Sequence, residues 1–218
     1  MPDRKQIIQE ASEMFITQGI KSVRMDDIAA QLGMSKRTLY EMFGGKEELL
    51  SLCMGHYWEM MIRKRNERNA RARNVMEAVF QSMANMLEQR DTTLSLMVSL
   101  RRFYPRIYTR VGEKLFHSGC DALRQLIERG VQEELLLPDL NVELTVITFI
   151  YSITGLMRDG RKHLSDSKIS LPVAFGYVAV NFFRGNATEK GREVIDEYIR
   201  MYNDRKINML RQKIRDEE

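Results

Sequence analysis

The chain has only 2 cysteines and 4 prolines among its 218 residues. Cys53 and Cys120 stand far apart and outside any C-x-x-C spacing, which argues against a disulfide framework and for a reducing compartment. Nowhere does an apolar run approach the roughly eighteen residues a membrane-spanning helix needs. Met1 is followed by Pro-Asp-Arg-Lys rather than an apolar signal core, so a cytoplasmic protein without a membrane role is expected. None of His56, His117 and His163 follows a Glu at the E-x-x-H spacing, and no metalloprotease, P-loop, nucleophile-elbow or dinucleotide motif is present. The residues therefore give no support to an enzyme and imply neither cofactor nor metal. Charge of one sign is also in short supply: 34 basic residues face 30 acidic ones, a net +4 that by itself is weak evidence for a polyanionic partner.

What the chain does have is helical periodicity from end to end. Asp3 to about Gln18 carries Ile7, Ile8, Ala11, Met14 and Phe15 on one face and ends at Gly19. Asp26 to Leu32 forms a second short helix. Gly33-Met34-Ser35 then makes a tight turn, with Gly33 suited to a positive φ and Ser35 to an N-cap. A third helix follows to Phe43. Its Leu39 and Phe43 face inward, while Lys36, Arg37, Thr38 and Tyr40 point out. Two short helices with a tight turn and an outward mix of basic and hydroxyl groups form a helix-turn-helix, whose second helix suits the DNA major groove. Lys36 and Arg37 can reach phosphates or guanine edges, and Ser35, Thr38 and Tyr40 can donate to phosphates. Lys46 opens the next helix, where exposed amides and the positive dipole end favour a phosphate. The bland alternative, a merely solvated face, is outweighed by the whole cluster.

After Gly44-Gly45 the pattern predicts a strut helix from Lys46 to roughly Arg65, then helices over Val75–Leu87, Leu94–Phe103 and Pro105 to Arg129-Gly130. Two unusually apolar helices are expected over Val142–Met157 and Pro172–Phe183, and an amphipathic one from Thr188, whose last residues, RQKIRDEE, are expected to fray. The reading is all-α: a three-helix head over residues 1–47, joined through the helix starting near 46 to a helical bundle over 48–218. The basic run from Arg63 to Arg73 is read as the solvated end of the strut and a connection, with contact to flanking DNA phosphates as the alternative.

The order Gly19, Ile28-Ala29, Gly33-Met34-Ser35, Thr38-Leu39-Tyr40, Phe43 and Lys46-Glu47-Glu48-Leu49 resembles the head of TetR-family transcriptional regulators. The likeness covers about Arg4 to Leu50; beyond it only the all-helical architecture agrees, with Phe183-Arg184-Gly185 near the last helix. The resemblance implies a homodimer that reads a palindromic operator in double-stranded DNA, most often as a repressor released by a small, largely apolar ligand. It implies backbone anchoring by Tyr40 and Lys46 and base reading by Lys36, Arg37 and Thr38. Arg37 stands where a small residue is common, and Glu41-Met42 replaces a frequently aromatic or His-containing pair, so the operator sequence is this chain's own. A head retained only for protein interaction is the alternative.

The same resemblance puts a ligand pocket among the middle helices, with Trp58, Met61, Phe80, Met83, Met97, Phe103, Tyr104, Phe116, His117 and Cys120 as lining candidates. Fifteen methionines give an adaptable interior, although at helical spacing such residues are usually core. A dimer face is expected on the two apolar helices, from Phe149, Tyr151, Ser152, Gly155, Phe175, Gly176, Ala179 and Phe182. Small residues among aromatic ones permit close helix crossing there.

Overall fold

A computed structural model describes residues 2–164 and 169–201, leaving aside the side chains of residues 90 and 157–163. The C-terminal RQKIRDEE lies outside the described residues. The helices run α1 (Arg4–Gln18), α2 (Met25–Gln31), α3 (Lys36–Phe43), α4 (Lys46–Arg71), α5 (Val75–Glu88), α6 (Arg90–Phe103), α7 (Pro105–Gln132), α8 (Val142–Leu164) and α9 (Leu171–Gly185). A tenth, α10, spans residues 189–201. Among the described residues the one β-type pairing is an isolated bridge between Leu136 and Ala187. No helix among them is long and apolar enough to cross a membrane.

Two compact units emerge. The first comprises Met1–Glu67 and Asn85–Ser118, the second Arg68–Ala84 and Gly119–Glu218. In the first, α1 begins with a reciprocal cap: Asp3 accepts from the Gln6 amide at 2.8 Å, and the Gln6 side chain accepts from the Asp3 amide at 2.9 Å. Such a cap is worth about 1 kcal/mol. Behind it Ile7, Ala11 and Phe15 are fully buried with Ile28, Leu39, Leu49, Leu50, Met54 and Leu100. Ser12, the polar residue in this core, satisfies its hydroxyl by donating to Ile8 O at 2.5 Å and Cys53 O at 3.2 Å.

The second unit is built around a corner at the end of α7. Val75, Met76, Ile127, Leu136, Phe183 and Ile195 form its core. Arg129 caps the far end of α4, donating to Asn69 O at 2.8 Å and Ala72 O at 2.7 Å, while its Nε meets Glu133 at 2.6 Å. The other oxygen of Glu133 accepts from the Val75 amide at 2.7 Å, capping α5. Past α7, Leu137 N donates to Asn186 O at 3.0 Å and Thr188 N to Leu135 O at 3.1 Å. The Thr188 hydroxyl donates to Glu134 O at 2.8 Å. These bonds close the ends of the segment that carries α8 and α9, which pack on each other. Gly191 permits the approach: a Cβ there would fall 1.9 Å from Leu135 O.

Candidate nucleic-acid interface

The turn between α2 and α3 is fixed by backbone geometry. Leu32 N donates to Ile28 O, Gly33 N to Ala30 O and Met34 N to Ala29 O, at 3.1, 3.2 and 3.0 Å. Gly33 takes φ +61°, a conformation that costs glycine little and other residues more. Ser35 then caps α3, accepting from the Thr38 amide at 3.0 Å, and the two hydroxyls meet at 2.8 Å. Leu39 and Phe43 anchor the helix in the core at 0% and 4% exposure. Anchoring of that face turns the opposite one out: Ser35, Lys36, Arg37 and Tyr40 are exposed and Thr38 half-buried.

The outward groups are arranged by their neighbours. Lys36 Nζ pairs with Asp26 of α2 at 2.7 Å and lies 6.0 Å from the Tyr40 ring centre. That hydrogen bond raises the ammonium's pKa above the ordinary lysine value, so the charge is secure. Arg37 Nε meets Glu41 at 2.8 Å, one turn along the same helix. Lys46, in the first turn of α4, is half-buried: its Nζ reaches Lys21 O only at 3.5 Å and sits 5.8 Å from the Phe15 ring centre. Burial lowers its pKa, against the pull of Asp27. Among the described residues it has no carboxylate partner within ion-pair distance.

The lining candidates for a ligand pocket fall in different units. In the first, Trp58 is buried; Met61, Met97 and Tyr104 are half-buried against the core; Phe103, Phe116 and His117 are exposed. The rings of Phe116 and His117 meet edge-on at 6.0 Å. Phe80, Met83 and Cys120 are half-buried against the core of the second unit, where Phe80 stacks on Tyr198 at 5.3 Å. The residues suggested for a dimer face divide by depth. Phe175 and Ala179 are buried, Phe149, Gly155, Gly176 and Phe182 half-buried, and Tyr151 and Ser152 exposed. Phe149 and Phe182 pack on each other at 4.8 Å. Sequence reasoning did not single out the outermost apolar positions: Leu144 and Ile147 on α8, Val173 and Tyr177 on α9, with exposures from 48% to 71%. Their three- and four-residue spacing, continued by Tyr151, was the available signal.

A helix capped by Ser35, anchored by Leu39 and Phe43 and presenting cations and hydroxyls beyond a tight turn defines a helix-turn-helix DNA-binding transcriptional regulator. Residues 7–53 match the family model of bacterial regulatory proteins, tetR family. The chain is similar to the uncharacterized HTH-type transcriptional regulator YhgD of Bacillus subtilis (strain 168), at 27% identity over 164 residues, 73% of this chain and 85% of the relative. Its fold is similar to that of a transcriptional regulator from Cytophaga hutchinsonii ATCC 33406, with TM-score 0.72 and 17% identity over 84% of this chain and 98% of the other. It is also similar to the transcriptional regulator FadR from Bacillus subtilis in complex with stearoyl-CoA, with TM-score 0.53 and 18% identity over 84% and 99%. The family match is confined to residues 7–53, the helix-turn-helix head, and there the chain is similar to bacterial regulatory proteins of the tetR family.

Proposed function

We propose that this regulator acts as a homodimeric repressor on a palindromic operator and is released by a small, largely apolar effector. The observation that carries the reading is that two surfaces stand open on one chain. One is the cationic face of α3; the other is the apolar face of α8 and α9 at Leu144, Ile147, Val173 and Tyr177. An apolar face of that kind on a folded chain calls for a cover. A second copy covers it by two-fold symmetry, burying on the order of 2,000 Å² or more, and sets the two heads at a fixed half-site spacing. The division of labour follows: residues 1–47 read DNA, and 48–218 dimerise and take the effector. FadR of Bacillus subtilis holds stearoyl-CoA, and a related effector class suits the methionine-rich interior of this chain.

On DNA, Lys36, Arg37 and Thr38 read bases, while Ser35, Tyr40 and Lys46 hold phosphates. The effector acts by preferring the arrangement whose head spacing misfits the operator, and its leverage equals its differential affinity for the two arrangements. Selection of bound duplexes from a randomised library at near-physiological salt tests the reading. Recovery of a palindrome is expected. Retention without a motif that vanishes on adding salt would leave only the electrostatic contribution and favour a head that no longer reads sequence.

A further inference from the structure

The first unit contains a cleft of about 520 Å³ between α1, α4 and the first half of α7. That volume is in the range of small-molecule sites, roughly 300–1,000 Å³. Its charge is one-sided: Arg4, Lys5, Arg110 and Lys114 line it, and the sole acid of the lining, Glu59, is tied to Lys114 at 2.6 Å. Arg110 donates to the neutral Ser51 hydroxyl at 3.0 Å, and among the described residues Arg4, Lys5 and Arg110 have no carboxylate partner. The deeper wall is apolar, with Ile107, Trp58 and Val111 at 3%, 4% and 6% exposure.

Two further features separate this cleft from an incidental surface fold. The Trp58 indole Nε1 is buried with no acceptor among the described residues, a costly state for a donor inside a protein. Gly55, also lining the cleft, sits in the interior of α4, where glycine is a poor helix former. No positive φ requires it there, and a Cβ at that position would meet nothing within 4 Å. The helix thus omits a side chain where the cleft needs room.

We propose that this cleft binds an amphiphilic organic anion, a carboxylate or phosphate ester on an apolar body, with its charged group among Arg4, Lys5 and Arg110 and its apolar part against Trp58 in the space left by Gly55. The cations stabilise the head group through charge-assisted hydrogen bonds. A polar atom of the ligand that reaches Nε1 supplies the missing acceptor. Because α1 belongs to the DNA-reading head, an occupant touches that head directly. The site is a property of the first unit and does not depend on the dimer or on repression.

Trp58 is the single tryptophan of the chain, so its emission reports this site alone. The full-length protein is titrated with sodium decanoate and with decyl phosphate, each below the concentration at which it self-assembles. Decan-1-ol and inorganic phosphate serve as comparators. A saturable emission change is expected with at least one of the two anionic amphiphiles, and the tighter of them identifies the head group. Arg110→Gln should weaken binding about tenfold. Gly55→Leu, which fills the cleft and favours helix, should abolish binding while melting at or above the wild-type temperature. Absence of a saturable change with both amphiphiles would overturn the proposal. Equal affinity for decan-1-ol or for inorganic phosphate would do the same, as would binding that survives in a folded Gly55→Leu protein. The duplex selection is scored separately, so failure here leaves the operator reading untouched.

Discussion

Lys36, the first residue of the recognition helix, is already paired inside the head: its Nζ lies 2.7 Å from Asp26 Oδ1 and 3.0 Å from Oδ2. Both side chains are more than half exposed, so the pair contributes little to stability. On the proposed reading of α3, it holds a cation back from DNA. Asp26→Asn should therefore leave the melting temperature nearly unchanged and tighten operator binding severalfold. The slope of log K against log salt should steepen by about one. A titration at three salt concentrations checks this, and an unchanged slope would mean that Lys36 gains no phosphate contact when it is released from Asp26.

Arg37 and Lys46 should fail differently. Arg37→Ala is expected to relax preference at one operator position by about 1–3 kcal/mol. Lys46→Ala should weaken every sequence alike and flatten the salt slope by about one. Lys46 also sets a pH limit. Burial lowers its pKa, and only the protonated form pairs with phosphate, so affinity should fall at a pH below the ordinary lysine value. Lys46→Arg should move that decline upward. Binding measured against a set of single-base operator variants, and then across alkaline pH, separates the two residues.

The apolar face on α8 and α9 gives a test by charge. Leu144 and Tyr177 are 62% and 71% exposed, so Leu144→Glu and Tyr177→Glu spare the fold of the single chain. Light scattering should show a monomer with unchanged helicity. Affinity for a full palindrome should drop about 10²-fold or more, toward that of a half-site, because the two heads no longer bind as one.

Cys53 is held as a thiol. Burial pushes its pKa up to about 12, and its sulfur faces Ile8 O at 3.5 Å. Its value is raised on folding, so the associated stability is complete below the unfolded thiol value near 8.5 and is lost as pH climbs toward 12. A thiol reagent at pH 8 should modify half-buried Cys120 first and reach Cys53 only after unfolding. Peptide mapping of the modified protein reads the order.

Gly191→Ala should be among the most damaging single changes, since the added carbon would occupy the place of the Leu135 carbonyl. A loss of roughly 2–3 kcal/mol is expected, lowering the melting temperature by several degrees. Differential scanning calorimetry measures both.

Much of the head was legible because its signals are local. Gly33, Ser35 and the spacing of Leu39 and Phe43 act within one turn of themselves, and the structure uses each where the sequence suggested. Elsewhere distant residues decided. The strut helix was expected to stop near Arg65 but runs to Arg71, because Arg129 satisfies its terminal carbonyls from far along the chain. The end of α7 was placed at Gly130, but that glycine lies inside the helix, and a Cβ on it would come 2.6 Å from Leu136. It marks a close approach and not a stop. The basic run from Arg63 to Arg73 has more structure than a solvated end: Arg65 donates to Ser118, and Arg73 to Glu77 and Tyr198. In α9 the apolar character all round conceals which side faces in. Phe175 and Ala179 are inward, Val173 and Tyr177 outward, a choice made by packing on α8.

The bonds joining Leu135 and Leu137 to Asn186 and Thr188 make the α8–α9 segment a closed excursion, leaving and returning through one clasp. The segment is tied to its unit by side chains as well, since Val146 and Phe183 enter the same core as Val75 and Ile127. On the proposed reading, changes to its outer face would alter pairing between copies without changing any residue of the DNA-reading head.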